Sequence, residues 1–471
     1  MISTRLNKGW EHYRGSLGGV WEAWRKDKLS NHYNVPWHEV ELPHCFNASD
    51  AVDPDVVYYQ GQGWYRTLLE INNPYPQGRT LLHFEGVGQR SEVYVYTKKV
   101  GEHLGGYDEF VIDITEAAAD AAQIERYQGK VPTAVLADNT RDLEMIPSDI
   151  SDFNLYGGIY RYVNLVYVPA ISLERVHVDV SNVSEASASL KISGRLYNPE
   201  GHAEEANLHI VIKDPHGKEI ARLETKANAS RAVRSEQTQY GTRRIDFEVD
   251  YELQDPQLWS VDDPNLYTCT VTLSTKYGET AQTERFGVRW FEFVKNGPFK
   301  LNGKRLLLKG THRHEDFAGV GAAMTEEMIV EEMTLIKEMG ANFIRLGHYQ
   351  QSRIVLDLCD ELGLLVWEEI PWCRGGLGGE RYKKQCKDML TAMIDQHRNH
   401  PSVILWGLGN ENDWEADFDY FDKEEIRAFM KELHDLSHSL DPSRLTAIRR
   451  CEFCKDIVDV YSPSIWVGWY R

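Results

Sequence analysis

The stretch richest in chemistry is Asn410-Glu411-Asn412-Asp413, directly after the apolar run Val403 to Gly409. A glutamate at the end of a buried strand can hold or hand over a proton, and an amide beside it can bind a hydroxyl of the molecule that receives it. Other apolar runs end in the same way. His312, His314, Glu315 and Asp316 follow the first, and Arg345, His348 and Tyr349 the second. Glu368, Glu369 and Trp372 follow the third, Arg449 and Arg450 the fifth, and Tyr461, Ser462 and Trp466 the sixth. Carboxylates, histidines and tryptophans facing one cleft suit a sugar, whose hydroxyls take hydrogen bonds and whose C–H faces stack on aromatics. Taken alone, Glu411 is more often a buried ion-pair partner than an acid; Asn410 beside it tips the balance toward proton transfer.

The elements that must position these residues alternate strand and helix from about residue 290. Leu306-Leu307-Leu308 is predicted as the first strand. Thr325 can cap a helix whose Ile329, Met333 and Ile336 share one face, with Gly340 ending it. Asn342 to Arg345, Leu364 to Trp367, Val403 to Trp406, Leu445 to Ile448 and Ile457 to Val460 are the next five strands. Helical stripes lie between them: Val355, Leu358, Cys359 and Leu362; Tyr382, Cys386, Met389, Leu390 and Met393; Ile426, Met430 and Leu433. Continuous apolar strands among amphipathic helices mean a parallel sheet covered on both faces. No glycine-rich phosphate loop opens it, so a (β/α)8 TIM barrel fits better than a dinucleotide fold. About six of its eight strands are present. In such barrels the chemistry gathers at the carboxyl ends of the strands, where the polar series lies.

The first 289 residues read as β structure. Gly63 to Ile71 and Ser91 to Tyr96 are short strands between turns, and Glu116 to Ala122 is a short helix. This predicts a multidomain chain: a β jelly roll over 1–168, an immunoglobulin-like β-sandwich over 169–289, and the barrel segment over 290–471. In the second unit, Ala188 to Leu196 and Cys269 to Leu273 alternate with period two.

Composition narrows the classes. Lys plus Arg is 52 against 72 for Asp plus Glu, a net charge of −20, which argues against a nucleic-acid partner. No run reaches the roughly 18 apolar residues needed to span a bilayer, so no membrane partner is expected. The N-terminus has no apolar h-region, and seven cysteines read as reduced thiols rather than a disulfide framework. The compartment stays open, cytoplasmic or, after removal of a leader, periplasmic or secreted.

The chain resembles glycoside hydrolase family two, the group of β-galactosidases, β-glucuronidases and β-mannosidases. The resemblance rests on Gly61 to Arg66, His103 to Tyr107, Asp152 and Tyr156 to Arg161 in the first unit. It continues with Leu258 to Tyr267, then Asn302-Gly303-Lys304, Lys309 to Asp316, Ile344 to Tyr349, and Asn399 to Val403 leading into Asn410-Glu411. It implies a retaining double displacement with Glu411 as acid/base. Asp152 then matches a position reaching from the jelly roll into the cleft, and Arg345, His348 and Asn410 match substrate-contacting positions. Glu369 matches a carboxylate of the pattern by position, with orientation of Arg345 as its plainer role.

The resemblance puts the nucleophile on a glutamate after strand seven. A retaining pair sits about 5–5.5 Å apart, and barrel spacing puts strand seven about 90 residues after strand four. Only 60 residues follow Glu411. The chain is therefore expected to be the front part of a longer enzyme, unable to complete turnover alone. Among sugars, a terminal β-galactoside is favoured because His312, His348 and Trp466 offer neutral hydrogen bonds and stacking, with Tyr461 beside them. Arg449 and Arg450 keep a glucuronide or a sulfated algal galactan as the alternative. A carbohydrate-binding protein without activity is the alternative outside the enzymes. No cofactor and no metal are expected: Cys451-x-x-Cys454 lacks a second pair, and His312 with His314 reads as polar contact at the barrel mouth. The partner is an oligosaccharide or glycoside, and a homo-oligomer stays open.

Overall fold

The computed structural model describes residues 1–25, 35–147, 151–234, 244–415, 420–465 and 467–468. The first unit packs two sheets face to face. One carries, in spatial order, His38–Val40, Trp10–Arg14, Gln62–Leu69, Val131–Asp138, Arg90–Val95 and Lys98–Leu104. The other carries Ile2–Arg5, Val163–Val168, Arg79–Phe84 and Phe110–Asp113. Tyr65, Phe84, Val93, Phe110, Val135 and Val163 close the core between them. The predicted alanine-rich helix is present as Thr115–Ala122, with Ala117, Ala118 and Ala121 turned into that core.

The second unit is a three-stranded sheet on a four-stranded one. Its period-two pattern works as the pleat requires: Ala206, Leu208, Ile210 and Ile212 from Glu204–Lys213 meet Tyr267, Cys269, Val271 and Leu273 from Tyr267–Thr275 inside. Asp395 of the third unit ties the two together. It accepts from both terminal nitrogens of Arg195, at 2.8 and 2.7 Å.

The third unit is a curled parallel sheet of six strands in chain order. These are β1 (Gly310–Arg313), β2 (Phe343–Leu346), β3 (Leu365–Glu369), β4 (Val403–Asn410), β5 (Leu445–Arg449) and β6 (Val460–Ser462). Four helices cover its outer face: α1 (Glu326–Glu338), α2 (Arg353–Leu362), α3 (Glu380–His397) and α4 (Lys423–Leu440). Thr325 caps α1 through its side chain, and Gly363 ends α2 in the left-handed region at φ 69°. The predicted stripes of α3 and α4 lie in the apolar layer between sheet and helices.

Two predicted strands move. Leu306-Leu307-Leu308 is not a strand: Leu306 and Leu308 pack beneath the barrel with Trp259, Phe299 and Leu365, and Leu307 is 68% exposed. The strand is the polar Gly310–Arg313, because its parallel register to β2 is set by Gly310 opposite Phe343 and His312 opposite Arg345. Likewise Ile457 and Val458 fill the helix-side core, and β6 begins only at Val460. Among the described residues no helix is long and apolar enough to cross a membrane.

Candidate active site

Strand alternation decides which end residues belong together. Along β3, Leu365 and Trp367 join the inner cluster and Val366 the outer one, so Glu369 points inward and Glu368 outward. Glu368 accepts from His397 of α3 at 2.8 Å and from the Gln351 amide at 3.1 Å, away from the barrel axis. Glu369 instead takes Nη2 of Arg345 at 2.8 and 2.9 Å and its Nε at 3.2 Å. On β1, Arg313 turns out to Glu332 of α1 at 2.7 Å, and His312 turns in. The same rule on β6 corrects one expected contact. Val460 lies with the inner cluster, so Tyr461 packs against the helix-side layer rather than joining the inner polar series. Trp466 lies outside the described residues.

The inner polar series converges. Arg345 lies 4.7 Å from the centre of the Trp367 ring and donates to Asn410 Oδ1 at 2.9 Å. Asn410 donates in turn to the Cys373 sulfur at 3.2 Å. Glu369 also accepts from His348 Nδ1, the tautomer that an adjacent carboxylate selects. Burial, then the Arg345 charge, holds His348 well below the ordinary imidazole range, so its ring is neutral near pH 7. Burial raises Glu369, and Arg345 works in the opposite direction. Gly407 makes this fit possible, since a Cβ there would stand 2.2 Å from the Cβ of Glu369.

Glu411 sits at the turn after β4, 2% exposed and left-handed at φ 52°. A non-glycine residue held there carries strain, the mark of a position fixed by its surroundings. Its amide donates to the Arg449 carbonyl at 3.0 Å. Its carboxylate takes Nε of Arg374 at 2.6 Å and Nη1 of Arg449 at 2.8 Å, with Nη1 of Arg450 at 3.8 Å. Arg374 also reaches Asp152 of the first unit at 2.6 Å, so the jelly roll touches the glutamate through one guanidinium.

The first unit supplies more of the mouth than sequence reasoning assigned. Phe153 lies 5.5 Å from His314 and 5.8 Å from His348, ring centre to ring centre. Buried Arg161 donates to Glu315 at 2.6 Å and to the Gln350 carbonyl at 2.9 Å. Arg374 was also missed; its one signal is an arginine closing the loop after β3, beside Gly375-Gly376. Ligand nitrogens of His312, His314 and His348 lie within 4.8 Å of one another, near enough to share a divalent ion. Arg345 stands 3.5 Å from His312 Nδ1 and 3.2 Å from His348 Nδ1, a cation that opposes such an ion.

The three units each match a known family. Residues 20–169 match the glycosyl hydrolases family 2 sugar binding domain, 171–289 glycosyl hydrolases family 2, and 293–471 the glycosyl hydrolases family 2 TIM barrel domain. The chain belongs to glycosyl hydrolases family 2. It is 55% identical to the β-glucuronidase of Parabacteroides merdae, with a TM-score of 0.93 over all of this chain and 60% of that one. Bacteroides uniformis β-glucuronidase 3 gives 55% identity and a TM-score of 0.92, over 100% of this chain and 58% of that one. The β-galactosidase of Thermoanaerobacterium thermosulfurigenes is 31% identical over 462 residues, 97% of this chain and 59% of its own length. The chain thus spans about three fifths of the length of each of these three relatives.

Proposed function

We propose that this chain carries the acid/base half of a retaining β-glucuronidase. The observation that carries the reading is identity: 55% to two β-glucuronidases against 31% to a β-galactosidase. That order reverses the galactoside preference drawn from neutral histidines. His312 and His348 serve any pyranose hydroxyl, so they favour neither sugar.

In this reading Glu411 gives a proton to the leaving oxygen and later takes one from water. The guanidiniums of Arg374 and Arg449 stabilise the carboxylate that forms as the proton leaves. His312, Arg345, His348 and Asn410 hold the sugar ring, Asp152 closes the mouth from the jelly roll, and Glu369 orients Arg345. The nucleophile, about 5–5.5 Å from Glu411, comes from a strand after the sixth. The domain cuts fall after residues 168 and 289.

The test is a screen of the complete protein on nitrophenyl β-D-glucuronide, galactoside and mannoside. The expected kcat/KM is about 10⁴-fold higher on the glucuronide, the range a matched polar group gives over its absence. A galactoside preference overturns the choice of sugar.

A further inference from the structure

Burial is graded outward from the sugar-facing groups. Glu369 and Asn410 are fully buried, Glu411 is 2% exposed, and Trp414 beyond it is 42% exposed. Three arginines occupy the step between. Arg374 and Arg450 lie 4.8 and 5.2 Å from the centre of the Trp414 ring, which holds both guanidiniums in place beside Glu411. A general acid aims its proton at the glycosidic oxygen, so groups outward of it face the leaving group rather than the sugar.

Carboxylates already hold each of these arginines. Arg374 pairs with Asp152 and Glu411, Arg450 with Asp413 at 3.1 Å, and Arg449 with Glu411. Among the described residues, Glu411 is the one carboxylate in ion-pair reach of Arg449. To act as an acid, Glu411 must first carry a proton. Among the described residues, Arg449 then has no carboxylate in ion-pair reach and keeps Asn410 Oδ1, at 3.4 Å. A part-buried guanidinium without a counter-charge favours an incoming anion.

We propose that Arg374, Arg449 and Arg450 form a leaving-group subsite for an anion, so that the preferred substrates carry a carboxylate or sulfate on the group released. This rests on the family 2 acid/base reading of Glu411 and adds the chemistry of the group on its far side. The anion supplies the negative charge that protonation of Glu411 removes.

The test uses Glu411→Gln in the complete protein, because glutamine mimics the uncharged acid and stops turnover. Binding of 3-carboxyphenyl, 3-sulfophenyl and 3-carbamoylphenyl β-D-glucuronides is titrated by calorimetry, alongside the same three galactosides. Both anionic groups are expected to bind about tenfold tighter than the carbamoyl one, one charge-assisted hydrogen bond's worth. The preference falls below about threefold in Glu411→Gln/Arg449→Gln, and also in Glu411→Gln/Arg450→Gln should the first not fold. Equal affinities in Glu411→Gln overturn the subsite. If galactosides bind and glucuronides do not, the choice of sugar fails while the leaving-group preference is still read. Binding of neither series overturns both.

Discussion

On the proposed reading of Glu411 as the acid, Arg374→Ala isolates what holds it in place. Arg374 touches Glu411 at 2.6 Å and Asp152 at 2.6 Å, with its side chain 17% exposed. A hydrogen bond to a charged group is worth about 1.5–3 kcal/mol, or roughly 10- to 150-fold in rate when it acts only in the transition state. Arg449 still grips the other carboxylate oxygen, at 2.8 Å, so the loss belongs at the lower end, about tenfold. The loss must depend on the leaving group. Phenol needs a proton as it departs and 2,4-dinitrophenol does not. The assay is kcat/KM of the complete protein on phenyl and 2,4-dinitrophenyl β-D-glucuronide. The expected fall is about tenfold on the first and under about threefold on the second. Asp152→Asn cuts only the far end of the bridge and should cost less than Arg374→Ala on the phenyl substrate. Equal falls on both leaving groups, or none on the phenyl one, refute the idea that Arg374 positions the acid.

Other outcomes follow from packing and titration. Gly407→Ala places a Cβ 2.2 Å from that of Glu369 and 2.6 Å from Trp367 Nε1, so it should cost about 1–3 kcal/mol in urea unfolding and slow the enzyme. Arg161→Met strands Glu315, 2% exposed, between jelly roll and barrel; a loss of about 3–5 kcal/mol is expected, read as a lower urea midpoint. Burial depresses His12 to about 3 and His44 to about 4, so both stay neutral when folded and take protons when unfolded. Stability from this pair is full above about pH 6.5 and declines as pH falls toward 4. Calorimetric scans at pH 7 and 5 should show the drop, and His12→Gln should shrink it.

The barrel was legible where a period carries the signal. Helical stripes at 3.6 residues and continuous apolar strands mark α3, α4 and β4 without tertiary information, and Thr325 and Gly363 mark the start of α1 and the end of α2. The first strand was not legible because the apolar run beside it, Leu306 to Leu308, seals the barrel floor, while the strand itself carries inward histidine and outward arginine. Tyr461 went to the wrong face because β6 begins at Val460 rather than Ile457, so Tyr461 lies inside the strand, and alternation from inward Val460 turns it outward. Glu411, Arg345 and Asn410 stood out as polar residues ending apolar runs. Arg374 and Phe153 did not, since their roles arise only when a loop and a separate domain meet over the mouth.

The central claim is that Glu411 is the acid/base, and chemical rescue of Glu411→Ala in the complete protein tests it most directly. On 2,4-dinitrophenyl β-D-glucuronide the first step needs no proton, so the variant should form its intermediate and stall. Added azide should then restore turnover and yield the β-glucuronyl azide with retained configuration. Wild-type rates in Glu411→Ala without azide, or a variant that no small anion rescues on this activated substrate, would contradict the account.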